Sequence, residues 1–369
     1  MKLIHCADVH LDSKLLANLD DDKAKLRREE ILNTFLRMVD YAANEQVDAV
    51  LIAGDLFDTS RVLAGVRHSV EGAIRKHPDI DFYLLKGNHS ASGFLDGLTD
   101  MPGNLKLFDE DWTGYVLNPD KGNNIVLTAA ELVGENAGIL YSSLVLDYDK
   151  FNIVMLHGQQ QNYVSKNKTA TIALGELKNK GIDYMALGHV HEYHMEALDT
   201  RGRWCYPGCL EGRGFDECGE HGFVLLDIDE ETLKATYTFV PFAYRMLHTV
   251  PVDVSGCDNS SDMADVVRDV LSEMQIAPKD MVKVVLMGKL DVTAEKNTDF
   301  MTTKLEEMFF FLKIYDETKL VVDFDSFLLD ESLKGEFVRQ VRADDNLDEQ
   351  TKAAVIRYGL QALAGEEIE

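Results

Sequence analysis

The chain has 369 residues, 46% of them hydrophobic, enough for two domains or one large domain with an appendage. No apolar run approaches the ~18 residues of a membrane span, and five scattered cysteines do not make a disulfide framework, so a reduced, cytoplasmic, non-membrane protein is expected. The net charge of −27 argues against gripping nucleic acid over the whole surface, because such binding rests on Lys and Arg neutralising phosphates.

Residues 2–7 form an apolar run that reads as a buried strand, so the start of the chain is not expected to be a secretory leader. The acidic residues 20–22 and 227–231 read as solvated loops. Residues 22–44 place Ile31, Phe35, Met38, Val39 and Ala42 at helical spacing, with charge on the other face. A strand over 48–53 precedes a helix over 62–76, which Ser60 can cap. Further strands are expected at 82–85, 152–156 and 184–187, with a helix from Thr169 through 180 before the last of them. Residues 124–156 and 204–241 are strand-rich. The pattern predicts an α/β sandwich of two sheets rather than one doubly wound sheet.

A second domain begins near residue 247. Strands are expected at 250–254, 281–290, 309–315 and 320–324, and helices at 262–274 and 299–308. This stretch carries no cluster of ligand-type residues and reads as a small α/β cap. Residues 332–342 and 349–364 read as helices with apolar faces, including Leu347, Val355 and Leu363, which either dock on their own domain or bind a partner helix. The predicted division is 1–245, 246–328 and a helical tail, 329–369.

Five motifs carry the chemistry: Asp8-Val9-His10, Gly54-Asp55-Leu56-Phe57-Asp58, Gly87-Asn88-His89, His157-Gly158 and Gly188-His189-Val190-His191. Each sits at the C-terminal exit of an apolar run, the edge where α/β sheets build sites. They offer oxygen and imidazole nitrogen and no thiolate, which suits paired Mn²⁺, Fe or Zn²⁺ better than a structural zinc. A lone His10 or His157 would more often be structural; their ordered company makes them ligands. His5, His194, His221 and His248 lack such company and read as structural or surface residues. The polar loop 159–168 faces water or substrate. Lys166, Lys168, Arg201 and Arg203 are the basic residues expected near the cleft, and Arg213 and Phe215 can meet a phosphate and a base.

In this order the motifs resemble the signature of calcineurin-like metallophosphoesterases, whose fold is a two-sheet αββα sandwich. The opening, residues 2–12, looks like the DNA-repair nuclease branch, as do Tyr206-Pro207-Gly208 and the strand from Gly222. These are features of SbcD-type nucleases and YhaO-like relatives. The ligand motifs span about half the chain, and the cap and tail match in layout only.

The resemblance implies one metal held by Asp8, His10, Asp55 and His191 and a second by Asp55, Asn88, His157 and His189, with Asp55 bridging. Mn²⁺ is the foremost choice, and Fe and Zn²⁺ are also suited. The metals would acidify water for in-line attack on phosphorus. His89 would give a proton to the leaving-group oxygen, and Asp58 would support the loop. Ser90 stands where many members have a carboxylate, which implies another orienting partner or a weaker acid–base group at His89. The expected function is a DNA exo- or endonuclease subunit in DNA repair, acting on ends or single strands. The relatives imply a homodimer and an SMC-like ATPase of the SbcC or YhaN type, which would supply the basic DNA-binding surface. The alternatives are a phosphoesterase for a nucleotide or other small phosphodiester, and a regulatory subunit with weak activity.

Overall fold

Alternate side chains of the first strand, β1 (Lys2–Cys6), enter two different cores. Leu3 and the following Ala7 join one apolar cluster, while Ile4 and Cys6 join another. A strand buried on both faces belongs to the middle of a layered sandwich. The computed structural model describes the chain apart from residues 15–18, 60, 88–91, 96, 118, 120, 121, 123, 134, 135, 162–170, 328 and 365–369. It forms two units, Met1–Met246 and Leu247–Glu369.

In the first unit β1 is followed by α1 (Asp21–Asn44), β2 (Ala49–Ile52), α2 (Ala64–Lys76), β3 (Asp81–Leu84), α3 (Ser92–Leu95), β4 (Leu105–Leu107), β5 (Thr113–Leu117) and β6 (Ile125–Ala129). Then come α4 (Ala137–Ser143), β7 (Phe151–His157), β8 (Gln159–Gln160), β9 (Thr171–Ile172), α5 (Leu174–Leu177) and β10 (Tyr184–Gly188). The unit ends with β11 (His194–Ala197), β12 (Arg203–Tyr206), β13 (Gly222–Ile228) and β14 (Ala235–Pro241).

One six-stranded sheet has the order β14-β13-β1-β2-β3-β4, the other β11-β12-β10-β7-β6-β5. Strands β1 to β4 are mutually parallel, as are β6, β7, β10 and β12. Leu3, Leu51 and Leu85 meet Leu127, Ile153 and Ala186 between the sheets. Ile31, Phe35, Met38 and Val39 of α1 cover the first sheet, and Leu174 and Leu177 of α5 join Met185 and Leu187 on the second. The expected αββα sandwich is the fold observed.

Several local expectations change. Asp20 is not a loop residue but the cap of α1, accepting from Lys23 N at 2.8 Å, and Asp21 and Asp22 suit the positive end of that helix. Ser60 lies outside the described residues; Leu63 N, before α2, donates instead to Asp12 Oδ2 at 2.8 Å. The helix expected over 169–180 is only the single turn of α5, and Thr169 lies outside the described residues. Asn179, at a φ of +58°, has left-handed backbone that no α-helix continues.

The second unit contains β15 (Leu247–Asp253), α6 (Ser260–Glu273), β16 (Met281–Met287), β17 (Lys289–Asp291), α7 (Thr298–Leu305), β18 (Phe311–Asp316), β19 (Lys319–Val321), α8 (Leu333–Arg342) and α9 (Glu349–Ala364). The strand expected over 281–290 is two strands, broken at Gly288, whose φ of +101° no extended residue adopts. The strand expected over 320–324 stops at Val321 and gives way to a 3-10 turn, Phe324–Phe327. Helices α6 and α7 pack on the parallel sheet β15-β16-β18. Val338 and Val341 of α8 and Ala353, Ile356 and Leu360 of α9 share a cluster with Val292, so the terminal helices dock within their own unit. Among the described residues no helix is long and apolar enough to cross a membrane.

Candidate metal centre

The ends of β1 and β2 in one sheet meet those of β7 and β10 in the other. Asp8 N donates to Gly54 O at 3.1 Å and His10 N to Asp55 O at 3.0 Å, which ties the first two motifs together. His189 N donates to Asp8 Oδ2 at 2.8 Å, and His157 Nδ1 to Ala53 O at 2.8 Å, which joins the sheets across their interface. Asp8, His10, Asp55 and His189 all have left-handed backbone, with φ of 50°, 48°, 50° and 105°. Such strain costs about 1–3 kcal/mol per residue and gathers where a site needs particular side-chain directions.

Two donor triads result. In the first, His10 Nε2 and His191 Nε2 are 3.2 Å apart and lie 4.0 and 3.9 Å from Asp8 Oδ1. In the second, one donor atom each of Asp55, His157 and His189 lies within 4.8 Å of the others, with His157 Nε2 3.4 Å from Asp55 Oδ2. The buried Asp8 Oδ1 accepts no hydrogen bond among the described residues, a costly state for a carboxylate oxygen. Metal–ligand bonds of ~2.0–2.2 Å set donor pairs ~3–4 Å apart, so the first triad fits a cation. Burial opposes a charged His157, yet the carboxylates of Asp55 and Asp8 outweigh it and raise the ring to about 9. Burial lowers His189, and His157 beside it adds to the effect. A divalent cation would meet the same demand for positive charge.

Behind the first triad stands a group of which the sequence named Asp58 and Arg213 but not Glu217. Glu217 Oε1 accepts from His191 Nδ1 at 2.6 Å, and Asp58 Oδ1 faces His10 Nδ1 at 3.1 Å. Arg213 donates to both carboxylates, each at 3.1 Å. Burial alone would raise Glu217, but His191 and Arg213 hold it well below the usual carboxylate range. Cys209, His191 and Glu217 also lie close together, but His191 and Glu217 are already bonded to each other. Burial pushes the Cys209 thiol well up, which disfavours the thiolate that a cation would bind there.

Glu131, just past β6, is a second unforeseen residue. Its carboxylate accepts from Lys86 N and from Gly87 N, bracing the turn that leads to Asn88 and His89. Asn88, His89 and Ser90 lie outside the described residues, as do Lys166 and Lys168. Phe215 is half-buried on the Arg213 loop, where its carbonyl accepts from Cys218 Sγ at 3.3 Å. Arg201 and Arg203 are not near the cleft as expected. Arg203 pairs in register with Tyr184, at the start of β10, and Arg201 binds Asp183, at the opposite edge from the ligands. His5 is buried between the sheets, 2.8 Å from the Tyr184 hydroxyl, and burial lowers it to about 3. His221 is buried and structural, its Nε2 meeting Glu217 O at 2.9 Å behind the first triad.

Two facing sheets whose parallel strands deliver paired carboxylate–imidazole triads to one edge are the frame of a metal-dependent phosphoester hydrolase. The chain belongs to the calcineurin-like phosphoesterase family, whose sequence pattern matches residues 1–193. It is 25% identical over 300 residues to the metallophosphoesterase YhaO of Bacillus subtilis, covering 78% of this chain and 72% of that protein. It is 23% identical over 323 residues to the DNA double-strand break repair protein Mre11 of Sulfolobus acidocaldarius, covering 84% and 79%. Among solved structures, a dimetal phosphatase from Danio rerio aligns over 65% of this chain and 99% of its own, at 12% identity and a TM-score of 0.39, too distant to bear on the site. The protein is therefore a metal-dependent phosphodiester hydrolase with relatives in the DNA-repair nuclease branch.

Proposed function

We propose that the protein is a two-metal DNA nuclease subunit that cuts phosphodiester bonds at DNA ends or in single strands. The observation that carries this reading is the convergence of the triads Asp8/His10/His191 and Asp55/His157/His189 on one edge of the sandwich. Asp8, His10, Asp55 and His191 would hold one ion and Asp55, Asn88, His157 and His189 the other. Mn²⁺ is the ion proposed, with Fe and Zn²⁺ compatible with the same donors. When bound, such a pair acidifies water and neutralises charge on the phosphoryl oxygens. The chain itself orients the ligand rings and, through His89, protonates the leaving-group oxygen.

The Mre11 relatives support DNA as the substrate, and a cytoplasmic place of action is part of the proposal. An SMC-like ATPase partner would reconcile the net charge of −27 with DNA binding by supplying the basic surface, and a homodimer is proposed from the resemblance alone.

The test is Mn²⁺-dependent cleavage of end-labelled linear DNA at low salt, with bis-p-nitrophenyl phosphate in parallel and Asp55→Ala and His89→Ala as controls. Cleavage of DNA that both substitutions abolish supports the nuclease. Turnover of the small ester alone, even with the ATPase present, would assign a small phosphodiester instead.

A further inference from the structure

His10 and His191 present their Nε2 atoms to the same point, and a carboxylate stands behind each ring. One guanidinium joins the two carboxylates: Arg213 Nη1 donates to Asp58 Oδ1 and Nη2 to Glu217 Oε1. With the 3.2 Å approach of the two Nε2 atoms, the five side chains close a ring. We propose that Arg213, with Glu217 and Asp58, is a positioning clamp for the first metal position, setting its affinity more than that of the second. This rests on the ligand assignment of the preceding section.

Three features carry the proposal. Glu217 at His191 Nδ1 fixes the proton there and turns that Nε2 lone pair outward, toward the ion, while Asp58 Oδ1 stands 3.1 Å from His10 Nδ1. The two Nε2 atoms stand 3.2 Å apart, close enough to share one cation. Second, Asp58 and Glu217 share one cation, and the rigid guanidinium sends a separate N–H to each, a geometry that a lysine's rotatable donors do not preset. The fork is braced in turn: Arg213 N donates to Glu217 Oε2 at 2.7 Å, and Cys209 N to His191 O at 3.1 Å. Third, the other triad is oriented differently, by the Ala53 carbonyl on His157 Nδ1, so the clamp bears on the first position. Arg213 is thereby committed to the clamp rather than held out for a phosphate.

The experiment is calorimetric titration of the metal-stripped full chain with Mn²⁺, comparing wild type with Arg213→Met, Arg213→Lys and Glu217→Gln. Wild type is expected to take two ions. Each variant should weaken one of them by ~10–100-fold and the other by clearly less. Should Arg213→Met melt early, Glu217→Gln keeps the side-chain shape and still reads the effect. Both ions bound as in wild type would overturn the proposal. So would equal weakening of both ions with a lowered metal-free melting temperature, which marks a structural role. Full rescue by Arg213→Lys would show that charge alone suffices and that the fork is irrelevant. A wild type that takes fewer than two ions would remove the ligand assignment and the clamp with it.

Discussion

His157 Nδ1 donates to the carbonyl of Ala53 at 2.8 Å, fastening the last residue of β7 to the residue after β2 in the facing sheet. Between the two lies Gly54, at a φ of +97°, where a Cβ would overlap the His157 ring. Gly54→Ala therefore combines left-handed strain with overlap and should destabilise the metal-free protein by roughly 3 kcal/mol or more in urea unfolding. Adding His157→Ala removes the ring and should recover part of that loss. Strictly additive losses would mean that the two residues do not compete for the same space.

Arg27 is a buried cation that joins α1 to the loop behind the candidate site. It donates to Glu30 at 2.7 Å, to Glu211 at 3.1 Å and to Gly212 O at 2.9 Å, while Thr34 and Tyr244 N also bind Glu211. Arg27→Met would leave Glu211 buried and uncompensated, a loss of about 3–5 kcal/mol. The neighbouring Arg213 loop should loosen with it, read as faster amide exchange around residues 211–217. Stability within 1 kcal/mol of wild type (a tenth of a typical domain's margin) would count against this anchor.

Acid should weaken the same network. Burial would raise Glu30, but hydrogen bonds from Arg245 and Arg27 hold it below the usual carboxylate range. A carboxylate depressed in the fold contributes stability above its unfolded value of about 4.3, and that contribution fades as pH falls through the folded value. The stability gap between wild type and Glu30→Gln should therefore be widest near neutrality and close below about pH 4. Chemical unfolding of the pair from pH 7 to 3 measures it, and a gap independent of pH would contradict the assignment.

Glu131 accepts from two successive backbone amides, Lys86 N and Gly87 N, and an amide side chain offers only one acceptor oxygen there. Glu131→Gln sets an N–H donor against another, so the turn before Asn88 and His89 should shift. Misplacement of about 1 Å costs up to ~100-fold in rate, and kcat on bis-p-nitrophenyl phosphate should fall toward that size while the fold persists. An unchanged kcat would show that the turn holds without its brace.

Removing the metals should also lower the melting temperature, because ions that bind only the folded chain add about 2.7 kcal/mol at 100 times their dissociation constant. Melting in excess chelator and then in Mn²⁺ reads this directly. Identical curves would mean that the triads bind no Mn²⁺.

The sequence by itself determined the layers and the donors. Apolar runs with a ligand motif at each exit define strands and the edge they serve, and Ile31, Phe35 and Val39 mark the buried face of α1 through spacing alone. These signals are local, since side-chain period and strand exits are properties of neighbouring residues. Only the tertiary structure decided which carboxylates stand behind the ligands. Glu217 is 26 positions from His191, and Glu131 lies 45 from Lys86 and 44 from Gly87. Each looks like one surface acid among many in a chain of net charge −27. Arg213 reads as a substrate contact, and only the structure pairs it with Asp58, 155 positions away. The helix expected from Thr169 shrank to one turn for a similar reason: helical spacing cannot register the left-handed Asn179 that the packed chain imposes. Orientation of a ligand is a long-range contact, and its chemistry leaves no period to read.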